Sequence, residues 1–380
     1  MAMRFKHPIN VLFVIVQMEM GGSERLVCNI VSKLDRKIFN PSIAWFFGDE
    51  ILDEFKKLDV PLYHIPKVKR FDVGAMRILG NVIRQDNIDL VNAHHFMPLV
   101  YSFYGCKIAN RQKLIYTEHS GLEIEKLSRK WKAAGRYLLG RSDRAIGVSP
   151  EVTKQIQRTF KLSSDKTVSI RNGVAVELFE NNREKVCLKT SLGIKNDEVI
   201  VGIVANFHKI KNHMFLLRAF NEISKDGWRS KLLLVGQGFA NISENAEPKI
   251  RKYIAENRLG ENVLTLGYRT DIPELLACMD IFCLTSLNEG LPISLIEAMA
   301  AGLPVVGTNV DGIRDLIIPN KNGFLVEQGD VEGLKKALLL LLQDESMRRS
   351  MGQESRNLAF SSYSLDRCVQ DYQNLFLSSL

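Results

Sequence analysis

The sequence predicts an α/β protein made of two doubly wound parallel-sheet domains. Short apolar runs rich in β-branched residues alternate with helical stretches along nearly the whole of the 380-residue chain. That length suits two domains of about 150–200 residues better than one ordinary α/β core. The alternation weakens once, across the polar stretch 180–197, and then restarts. We therefore expect one domain at 1–180 and a second at 190–363.

The first half of the chain contains six predicted strands that alternate with helical patterns. Such alternation predicts a parallel sheet covered by helices on both faces, because parallel strands need long crossover connections. The predicted strands are Ile9–Val16, Ser42–Phe47, Leu62–His64, Leu90–Ala93, Lys113–Thr117 and Arg144–Val148. Candidate helices between them include Ser23–Leu34, Val73–Asp86 and Met97–Ala109.

The second half repeats the pattern with six further predicted strands. They are Val199–Val204, Lys231–Val235, Asn262–Leu266, Ile281–Leu284, Pro304–Gly307 and Gly323–Val326. The tail Ser364–Leu380 is helical in pattern. Ligands of doubly wound sheets bind outside the carboxyl ends of the strands, so the residues just after each strand are the candidates for function.

The composition is that of a soluble globular protein, with 46% hydrophobic and 25% charged residues. Six cysteines, at positions 28, 106, 187, 278, 283 and 368, form no C-x-x-C pair and accompany no histidine cluster. We expect reduced, mostly buried thiols rather than a disulfide framework or a zinc site. The first apolar run, Ile9–Val16, is too short for a membrane span and no cleavage site follows it. The expectation is a cytoplasmic protein with at most peripheral contact to the cytoplasmic face of a membrane.

Positive charge is concentrated in the first half of the chain. The net charge is +8; residues 1–180 hold 28 Lys and Arg against 19 Asp and Glu, whereas the remainder holds 23 against 24. This asymmetry indicates an anionic partner, such as nucleic acid, an anionic membrane surface or a phosphorylated acceptor. No nucleic-acid-binding module is recognisable, so nucleic acid is not expected as a partner.

One segment of this basic half, 124–144, indicates contact with an anionic membrane surface. Seven Lys and Arg residues edge an apolar stripe in it, and such a stripe can lie in a membrane interface. The stripe consists of Ile124, Leu127, Trp131, Ala134 and Leu138, which share one face at helical spacing. The alternative is that the stripe packs on the first sheet, with the basic face solvated or lining the acceptor cleft.

Gly21 and Gly22 follow the first strand and precede a helical pattern. Glycines let a backbone pass close to a ligand, and the helix N-terminus behind them offers N–H groups to a phosphate. The alternative is a tight turn with Ser23 as the helix N-cap. The segment is not G-x-G-x-x-G, so a dinucleotide fingerprint is absent.

Three histidines of the same half also follow predicted strands. His94 and His95 come after the fourth strand and His119 after the fifth. Their positions face the predicted ligand-binding edge of the sheet, which favours a functional role for His119. A purely structural role is the alternative for each of them.

The most informative pattern lies in the second half. Residues after its strands are Asn206 and Lys211, Gly236, and then Glu289 with Gly290, Leu291, Pro292 and Ile293. Glu297 follows Glu289 by eight residues, which places one carboxylate before a helix and the other about two turns into it. Carboxylates there suit sugar or ribose hydroxyls, and Lys211 suits a diphosphate. Taken singly, Glu297 could be a solvated helix residue and Lys211 a surface charge.

In order and spacing, these motifs resemble those of the retaining GT-B glycosyltransferases of family 4, the group 1 glycosyltransferases. The resemblance covers nearly the whole chain, and the block from Glu289 to Val306 is its most specific part. The other matching segments are Gly21-Gly22-Ser23-Glu24, the His119 segment, Ile146-Gly147-Val148-Ser149, Arg171-Asn172-Gly173-Val174, Lys211-Asn212, Gly236-Gln237-Gly238, Asp311-Gly312 and Asn322-Gly323-Phe324-Leu325-Val326. It implies the GT-B architecture: two Rossmann-like domains with an interdomain cleft, and the tail 364–380 crossing back onto the first domain.

The resemblance also implies the ligand and the roles of the donor-site residues. The donor would be a nucleoside-diphosphate sugar, usually of UDP, acting as co-substrate with no further cofactor. Glu297 would bind the ribose and Glu289 the donor sugar, while the amides of Gly290–Ile293 would contact sugar or phosphate. Lys211 would stabilise the leaving diphosphate. The family commonly has an Arg beside this Lys, and here Asn206 stands at that position.

In the first domain, the resemblance implies that the Gly21–Gly22 loop approaches the diphosphate and that His119 lies beside the transferred sugar. We therefore expect His119, Lys211 and Glu289 to be catalytic in a retaining, metal-independent transferase. No D-x-D sequence occurs, so no catalytic metal of the GT-A kind is expected.

The expected reaction moves a sugar from a UDP-sugar to a hydroxyl of a sugar or lipid-linked acceptor, in polysaccharide or glycolipid biosynthesis. Two other classes stay open on the same scaffold. One is a sugar-nucleotide epimerase, which would act without an acceptor. The other is a non-catalytic protein that binds a nucleotide sugar and serves as a subunit.

Overall fold

A computed structural model of the chain describes residues 7–19, 21–68, 71–110, 113–179, 189–195, 197–238 and 243–380. The chain forms two compact units, one of residues up to 173 together with 365–380, the other of residues 174–364. Each unit contains one sheet in which all pairs of strands are parallel. Two doubly wound parallel-sheet units are what the alternation of strands and helices predicts.

The first unit is built on a seven-stranded sheet with the order β3-β2-β1-β4-β5-β6-β7. Its strands are β1 (Ile9–Gln17), β2 (Phe39–Phe47), β3 (Leu62–His64), β4 (Leu90–His94), β5 (Leu114–Glu118), β6 (Arg144–Gly147) and β7 (Thr167–Ser169). Its helices are α1 (Gly22–Lys33), α2 (Leu52–Lys56), α3 (Val73–Gln85), α4 (Phe96–Ile108), α5 (Gly121–Glu125), α6 (Arg129–Arg141), α7 (Pro150–Phe160) and the C-terminal helix (Leu365–Ser379). The sequence pattern predicts the other six strands of this sheet and misses β7.

The second unit is built on a six-stranded sheet with the order β10-β9-β8-β11-β12-β13. Its strands are β8 (Val199–Val204), β9 (Ser230–Val235), β10 (Val263–Gly267), β11 (Ile281–Leu284), β12 (Val305–Thr308) and β13 (Gly323–Val326). Its helices are α8 (His213–Lys225), α9 (Glu247–Glu256), α10 (Ile272–Cys278), α11 (Ile293–Ala300), α12 (Asp311–Arg314), α13 (Val331–Gln343) and α14 (Glu345–Ser362). The C-terminal helix of the first unit is therefore α15.

The boundary between the units lies earlier than the polar stretch that marks it in the sequence. The units divide between Gly173 and Val174 rather than at 180–190. The reason is that the 3₁₀ turn Val176–Phe179, whose first and last side chains are buried, packs on α10 and α11 of the second unit. Residues 180–188 lie outside the described residues, and so does Cys187. The other five cysteines are free thiols.

Helix α15 follows the second unit in sequence but belongs to the first unit. It packs on α1, and its buried Phe376 meets Phe13 of β1 edge-on with ring centroids 6.0 Å apart. Tyr372, one turn earlier, is fully buried. Large aromatic side chains of this kind supply much of the burial that fixes a helix onto a sheet.

Each sheet has one point where the chain order reverses. In the first sheet, β1 has β2 on one side and β4 on the other; in the second sheet, β8 has β9 on one side and β11 on the other. Loops that leave neighbouring strands in opposite directions open a crevice at such a point, and ligands of doubly wound sheets bind there. The residues after β1 and β4, and after β8 and β11, are therefore the candidates for ligand binding.

Candidate active site

In the second unit, a lysine and a glutamate meet at the point where the chain order reverses. Lys211 follows β8 and Glu289 follows β11, and Lys211 Nζ donates a hydrogen bond of 2.6 Å to Glu289 Oε1. Ser286 Oγ donates to the same oxygen at 2.6 Å. The Lys211 side chain retains 24% of its exposure and that of Glu289 10%. A half-buried cation and a carboxylate thus lie together at the carboxyl edge of the sheet.

Backbone contacts between the two loops hold this pair in place. The amide of Leu287 donates to the carbonyl of Ile210 at 2.7 Å. Thr285 Oγ1, at the end of β11, lies 3.2 Å from the carbonyl oxygens of Lys211 and Asn212. Asn212 has the left-handed conformation, with φ of 50°, which ends the 3₁₀ turn Lys209–Lys211 and begins α8. Hydrogen bonds between the two loops therefore fix the position of the Lys211 backbone, and its ion pair with Glu289 holds its side chain.

The second glutamate of the spaced pair lies inside helix α11. Glu297 is buried, with 8% of its surface exposed. Glu289, in contrast, precedes the helix, as the spacing predicts. The intervening residues Gly290, Leu291, Pro292 and Ile293 are all buried, with Pro292 at the N-cap position of α11. A buried carboxylate in a helix is uncommon among glutamates, so Glu297 is not the solvated helix residue of the alternative interpretation.

Asn206 and Gly236 lie where the backbones after β8 and β9 run side by side. The Asn206 side-chain oxygen is buried and has no hydrogen-bond partner among the described residues. Gly236 has φ of 142°, and a Cβ there would lie 2.1 Å from the carbonyl oxygen of Ala205. Only glycine fits this position, because both the backbone angle and the contact exclude a side chain. A buried acceptor without a partner beside a tight backbone contact is a suitable place for a ligand to supply the missing donor.

In the first unit, Gly21 and Gly22 occupy the start of α1. Gly21, not Ser23, is the N-cap residue, and no side chain caps the helix. Ser23 lies inside the helix, where its hydroxyl donates to Glu24 Oε2 at 2.8 Å. The turn-and-cap interpretation of Ser23 is therefore wrong. Glu24 is buried against Gly21, its carboxylate filling the space that a Cβ on residue 21 would need, and burial raises its pKa.

A chain of polar side chains leads from β4 to His119. Asn92 Nδ2 donates to the carbonyl oxygen of Ile115 and to Thr117 Oγ1. Because a carbonyl oxygen can only accept, this contact fixes the orientation of the amide, and Asn92 Oδ1 is available as an acceptor. His94 Nε2 lies 2.9 Å from that oxygen, and His94 Nδ1 lies 2.9 Å from His119 Nε2. His94 therefore donates from Nε2 and accepts at Nδ1. His119 must donate from Nε2, which leaves its Nδ1 as an acceptor.

The electrostatics of the cluster favour this neutral form of both rings. Burial lowers the pKa of His94 to about 3, with His95 adding to the effect. Burial, together with His95 and His94, also lowers the pKa of His119 well below its usual value. Hydrogen bonding of a neutral ring to an assigned acceptor fixes the tautomer.

Sequence reasoning finds the histidines from their strand-end positions, but it does not single out Asn92, because nothing in the pattern distinguishes it from other strand residues.

His95 carries the positive charge of the cluster. Its Nδ1 lies 3.3 Å from Glu123 Oε2 and 3.6 Å from Glu118 Oε1. Burial opposes the charged form, but the two carboxylates outweigh it and raise the pKa of His95 well above its usual value. The backbone of His95 has φ of 72° and ψ of 163°, a region that is normally restricted to glycine. Backbone strain of this kind persists only where the surrounding contacts fix the residue, and here the two carboxylates hold the His95 ring.

Within the described ranges, one group of side chains could hold a metal ion. It consists of His95, Glu118 and Glu123, whose possible ligand atoms all lie within 4.8 Å of one another. Glu118 already accepts hydrogen bonds from the Tyr116 hydroxyl and from the amides of His119 and Ser120. To bind here, a metal ion would have to displace the proton that the two carboxylates stabilise on His95. The contacts fit an ion pair better than a metal site.

The apolar stripe at 124–144 faces the interior of the first unit. The segment is not one helix: α5 ends at Glu125 and α6 begins at Arg129, with Ser128 as its N-cap. Ile124 and Leu138 are buried, and Trp131 packs edge-on against Phe96 with centroids 5.8 Å apart. These contacts favour the alternative interpretation, in which the stripe packs on the first unit, and nothing in the structure supports a membrane contact here. In the described part of the chain, no helix is both long and apolar enough to cross a bilayer.

Comparison with proteins of known sequence gives relatives over most of the chain. An N-acetyl-alpha-D-glucosaminyl L-malate synthase of Bacillus anthracis is 28% identical over 332 residues, covering 86% of this chain and 84% of the relative. A UDP-Gal:alpha-D-GlcNAc-diphosphoundecaprenol alpha-1,3-galactosyltransferase of Escherichia coli is 25% identical over 314 residues, covering 80% and 79%.

Comparison with solved structures identifies the same fold. HepE of Anabaena, solved in complex with UDP-glucose, superposes with a TM-score of 0.87 at 21% identity, covering 98% of this chain and 100% of that one. At that identity the likeness shows the fold alone.

Two family models match successive parts of the chain. The model described as "Glycosyltransferase Family 4" matches residues 20–178, and the model described as "Glycosyl transferases group 1" matches residues 187–358. The first contains the glycine and histidine positions of the first unit, and the second contains Lys211, Glu289 and Glu297. The chain is thus a glycosyltransferase with the GT-B fold, and it belongs to family 4, the group 1 glycosyltransferases.

Proposed function

We propose that this glycosyltransferase is a retaining enzyme that takes its sugar from a UDP-sugar and transfers it to a hydroxyl of a lipid-linked or polysaccharide acceptor. The observation that carries the proposal is the Lys211–Glu289 pair of 2.6 Å at the point where the second sheet reverses its chain order. That place is where doubly wound sheets bind nucleotides. The pair combines a cation for a diphosphate with a carboxylate for sugar hydroxyls.

The choice of UDP and of the acceptor class draws on the relatives. The Anabaena protein of like fold was solved with UDP-glucose, and the Escherichia coli relative is named for UDP-Gal and for a sugar carried on diphosphoundecaprenol. A lipid-linked acceptor would be met at the cytoplasmic face of a membrane. The buried Glu297 would accept hydrogen bonds from the ribose hydroxyls, since a buried carboxylate needs donors to offset its desolvation.

In the proposed reaction, the bond between the anomeric carbon and the phosphate oxygen breaks first, and the bonding electrons leave with the diphosphate. The acceptor hydroxyl then attacks the same face of the sugar and gives its proton to the departing phosphate oxygen. Lys211 Nζ has three hydrogens and donates one of them to Glu289. The remaining hydrogens can bind the diphosphate, whose negative charge grows as the bond breaks.

No metal and no further cofactor enters this scheme. Charge on the leaving group would be balanced by Lys211 and by backbone N–H groups near the start of α11, whose first residue follows Pro292. Asn206 supplies an amide where a relative with Arg would supply a charge. The buried side-chain oxygen of Asn206 would then accept a hydrogen bond from a hydroxyl of the nucleotide sugar.

The test is a donor screen with the purified full chain. UDP-glucose, UDP-galactose, UDP-N-acetylglucosamine and GDP-mannose are each incubated with a diphospholipid-linked GlcNAc acceptor, and release of UDP or GDP is measured. We expect UDP release that depends on the acceptor, and a product whose anomeric proton coupling shows the same configuration as the donor. Release of GDP alone would contradict the donor assignment, and an inverted product would contradict retention.

A further inference from the structure

The lysine and the glutamate that meet at the carboxyl edge of the second sheet carry no net charge between them. Lys211 Nζ donates to Glu289 Oε1 at 2.6 Å, so the positive charge of this contact is matched by a negative one. A diphosphate that leaves a sugar carries more than one negative charge, and the site must balance that charge. Asn206, in the same loop, supplies an amide and no charge. The proposed reaction therefore needs a further hydrogen-bond donor beside Lys211.

His208 begins the turn that Lys211 ends. The Lys211 amide donates to the His208 carbonyl at 2.9 Å, which closes one turn of 3₁₀ helix. Side chains three residues apart eclipse one another in a 3₁₀ helix, so the side chains of His208 and Lys211 lie on the same side of this turn. Lys209, one residue later, lies on a different side and is exposed. The turn thus brings the His208 ring beside the lysine of the candidate site.

Two hydrogen bonds of its own loop hold His208 in position. The amide of Lys209, the next residue, donates to the carbonyl of Glu244 at 2.9 Å. The His208 ring also caps the 3₁₀ turn, because its Nδ1 accepts a hydrogen bond of 3.1 Å from the Ile210 amide. A side chain that its own loop fixes loses little conformational freedom when it binds a ligand.

The capping contact decides which ring nitrogen of His208 can donate. Since Nδ1 accepts from an amide, the hydrogen of the neutral ring is on Nε2. Burial lowers the pKa of His208 below its usual value; Glu244 opposes this shift, and Lys211 and Lys209 add to it. The neutral ring is therefore the main form at pH 7. In the described part of the chain, no group accepts a hydrogen bond from Nε2, so this N–H is available to a ligand.

We propose that His208, through its Nε2–H, is a second hydrogen-bond donor to the diphosphate of the nucleotide sugar, beside Lys211. The inference rests on the proposed function, which assigns the diphosphate to Lys211. A hydrogen bond to a charged phosphate oxygen is stronger than one between neutral groups, and it strengthens further as the charge of the leaving group grows. Lys209 would bring a full charge, but the turn directs its side chain away from Lys211.

Two substitutions separate this role from the capping of the turn. His208→Asn keeps an acceptor for the Ile210 amide, because Asn is favoured at N-caps, but it is too short to donate from the position of Nε2. His208→Gln keeps an N–H at about that reach but loses the cap, because Gln is not among the favoured capping residues. Isothermal titration of the full chain with UDP and with uridine measures what the diphosphate contributes to binding.

We expect His208→Asn to bind UDP about tenfold more weakly than the wild type, the lower end of the range for a hydrogen bond to a charged group. Its affinity for uridine and its melting temperature should be unchanged. His208→Gln should show the opposite behaviour, with UDP binding close to that of the wild type and a lower melting temperature. Lys209→Ala is the matched control from the same turn, and it should bind both ligands like the wild type.

The outcomes distinguish this inference from the function on which it rests. Wild-type affinity for UDP in His208→Asn would overturn the inference and leave His208 as a capping residue. An equal loss of UDP and uridine affinity in His208→Asn would overturn it as well, and so would a loss of UDP affinity in Lys209→Ala instead. If the wild-type chain bound UDP no more tightly than uridine, the diphosphate site at Lys211 would itself be wrong, and the proposed function would fail with it.

Discussion

Nδ1 of His94 lies 2.9 Å from Nε2 of His119, and His94 Nε2 lies at the same distance from Asn92 Oδ1. These two contacts order the donors and acceptors from the middle of β4 to the residue after β5. They make the buried His94 a link rather than a ligand contact. Among Asn92, His94 and His119, they leave Nδ1 of His119 able to accept a hydrogen bond from another group.

The first prediction concerns the protonation of His119. Its lowered pKa favours the neutral ring, with hydrogen on Nε2, where a free imidazole is becoming charged. Nitrogen-15 NMR of histidine-labelled protein should show that tautomer at about pH 8 and at about pH 6. In Asn92→Ala, His94 loses its acceptor and the His119 signal should shift towards a mixture of tautomers. A His119 that titrates near pH 6.5 would contradict the arrangement.

The same pKa shifts set the sign of the pH dependence of stability. The unfolded chain binds protons at His94 and His119 below about pH 6.5, whereas the folded chain does not, so these two groups lower the free energy of unfolding as the pH falls. His95 acts in the opposite sense: its stabilising charge is complete below about pH 6.5 and is lost as the pH rises through its raised pKa. His95→Gln should therefore lose stability relative to the wild type mainly on the acid side.

The second prediction separates the role of Lys211 in the reaction from its role in the fold. Lys211→Ala should lower the rate of UDP release by about 100-fold or more, because the charge it balances grows in the transition state. The free energy of unfolding should fall by less than about 1 kcal/mol, since the pair is partly exposed. Lys209→Ala is the control, since Lys209 is exposed in the same 3₁₀ turn. Activity near that of the wild type in Lys211→Ala would place the diphosphate elsewhere.

The third prediction concerns Glu297. Glu297→Ala should weaken UDP binding by about 1.5–3 kcal/mol, the value of hydrogen bonds to a charged group. Glu297→Gln, which keeps one acceptor oxygen, should lose less. Isothermal titration with UDP measures both, with the exposed Glu332→Gln of α13 as control. Equal affinity in folded Glu297→Ala and in the wild type would remove the ribose role.

The fourth prediction uses the buried oxygen of Asn206, which has no partner among the described residues. Asn206→Ala should change the free energy of unfolding by less than about 1 kcal/mol, because no hydrogen bond within the protein is lost. Its Michaelis constant for the nucleotide sugar should rise. Gln237→Ala, at an exposed position of the neighbouring loop, should affect neither quantity. A large loss of stability with unchanged kinetics would make Asn206 a structural residue.

The fifth prediction is that transfer survives chelation. Lys211 and backbone N–H groups are expected to balance the leaving diphosphate without a metal. Activity after dialysis against EDTA should match that of untreated enzyme, and Mg²⁺ or Mn²⁺ should not raise it several-fold. Loss of activity that Mn²⁺ restores would refute metal independence, and loss of this response in Glu123→Gln would then assign the metal to the His95 cluster.

The sequence by itself determined the two sheets, most strand positions and the spacing of Glu289 and Glu297. These features depend on local periodicity and on residues close together in the chain, which a linear pattern records. It also located His119 and Lys211, because the ends of parallel strands share one edge of a sheet.

Only the tertiary structure decided which side chains meet. Asn92 joins His94 and His119 across neighbouring strands, and Glu289 reaches Lys211 across 78 positions of sequence. The helical spacing of Ile124 and Leu138 is compatible with a membrane-contacting surface. An amphipathic pattern is the same, however, whether its apolar face contacts lipid or a sheet of the protein. In the structure, Ile124 and Leu138 are buried and Trp131 packs against Phe96, which favours packing within the first unit.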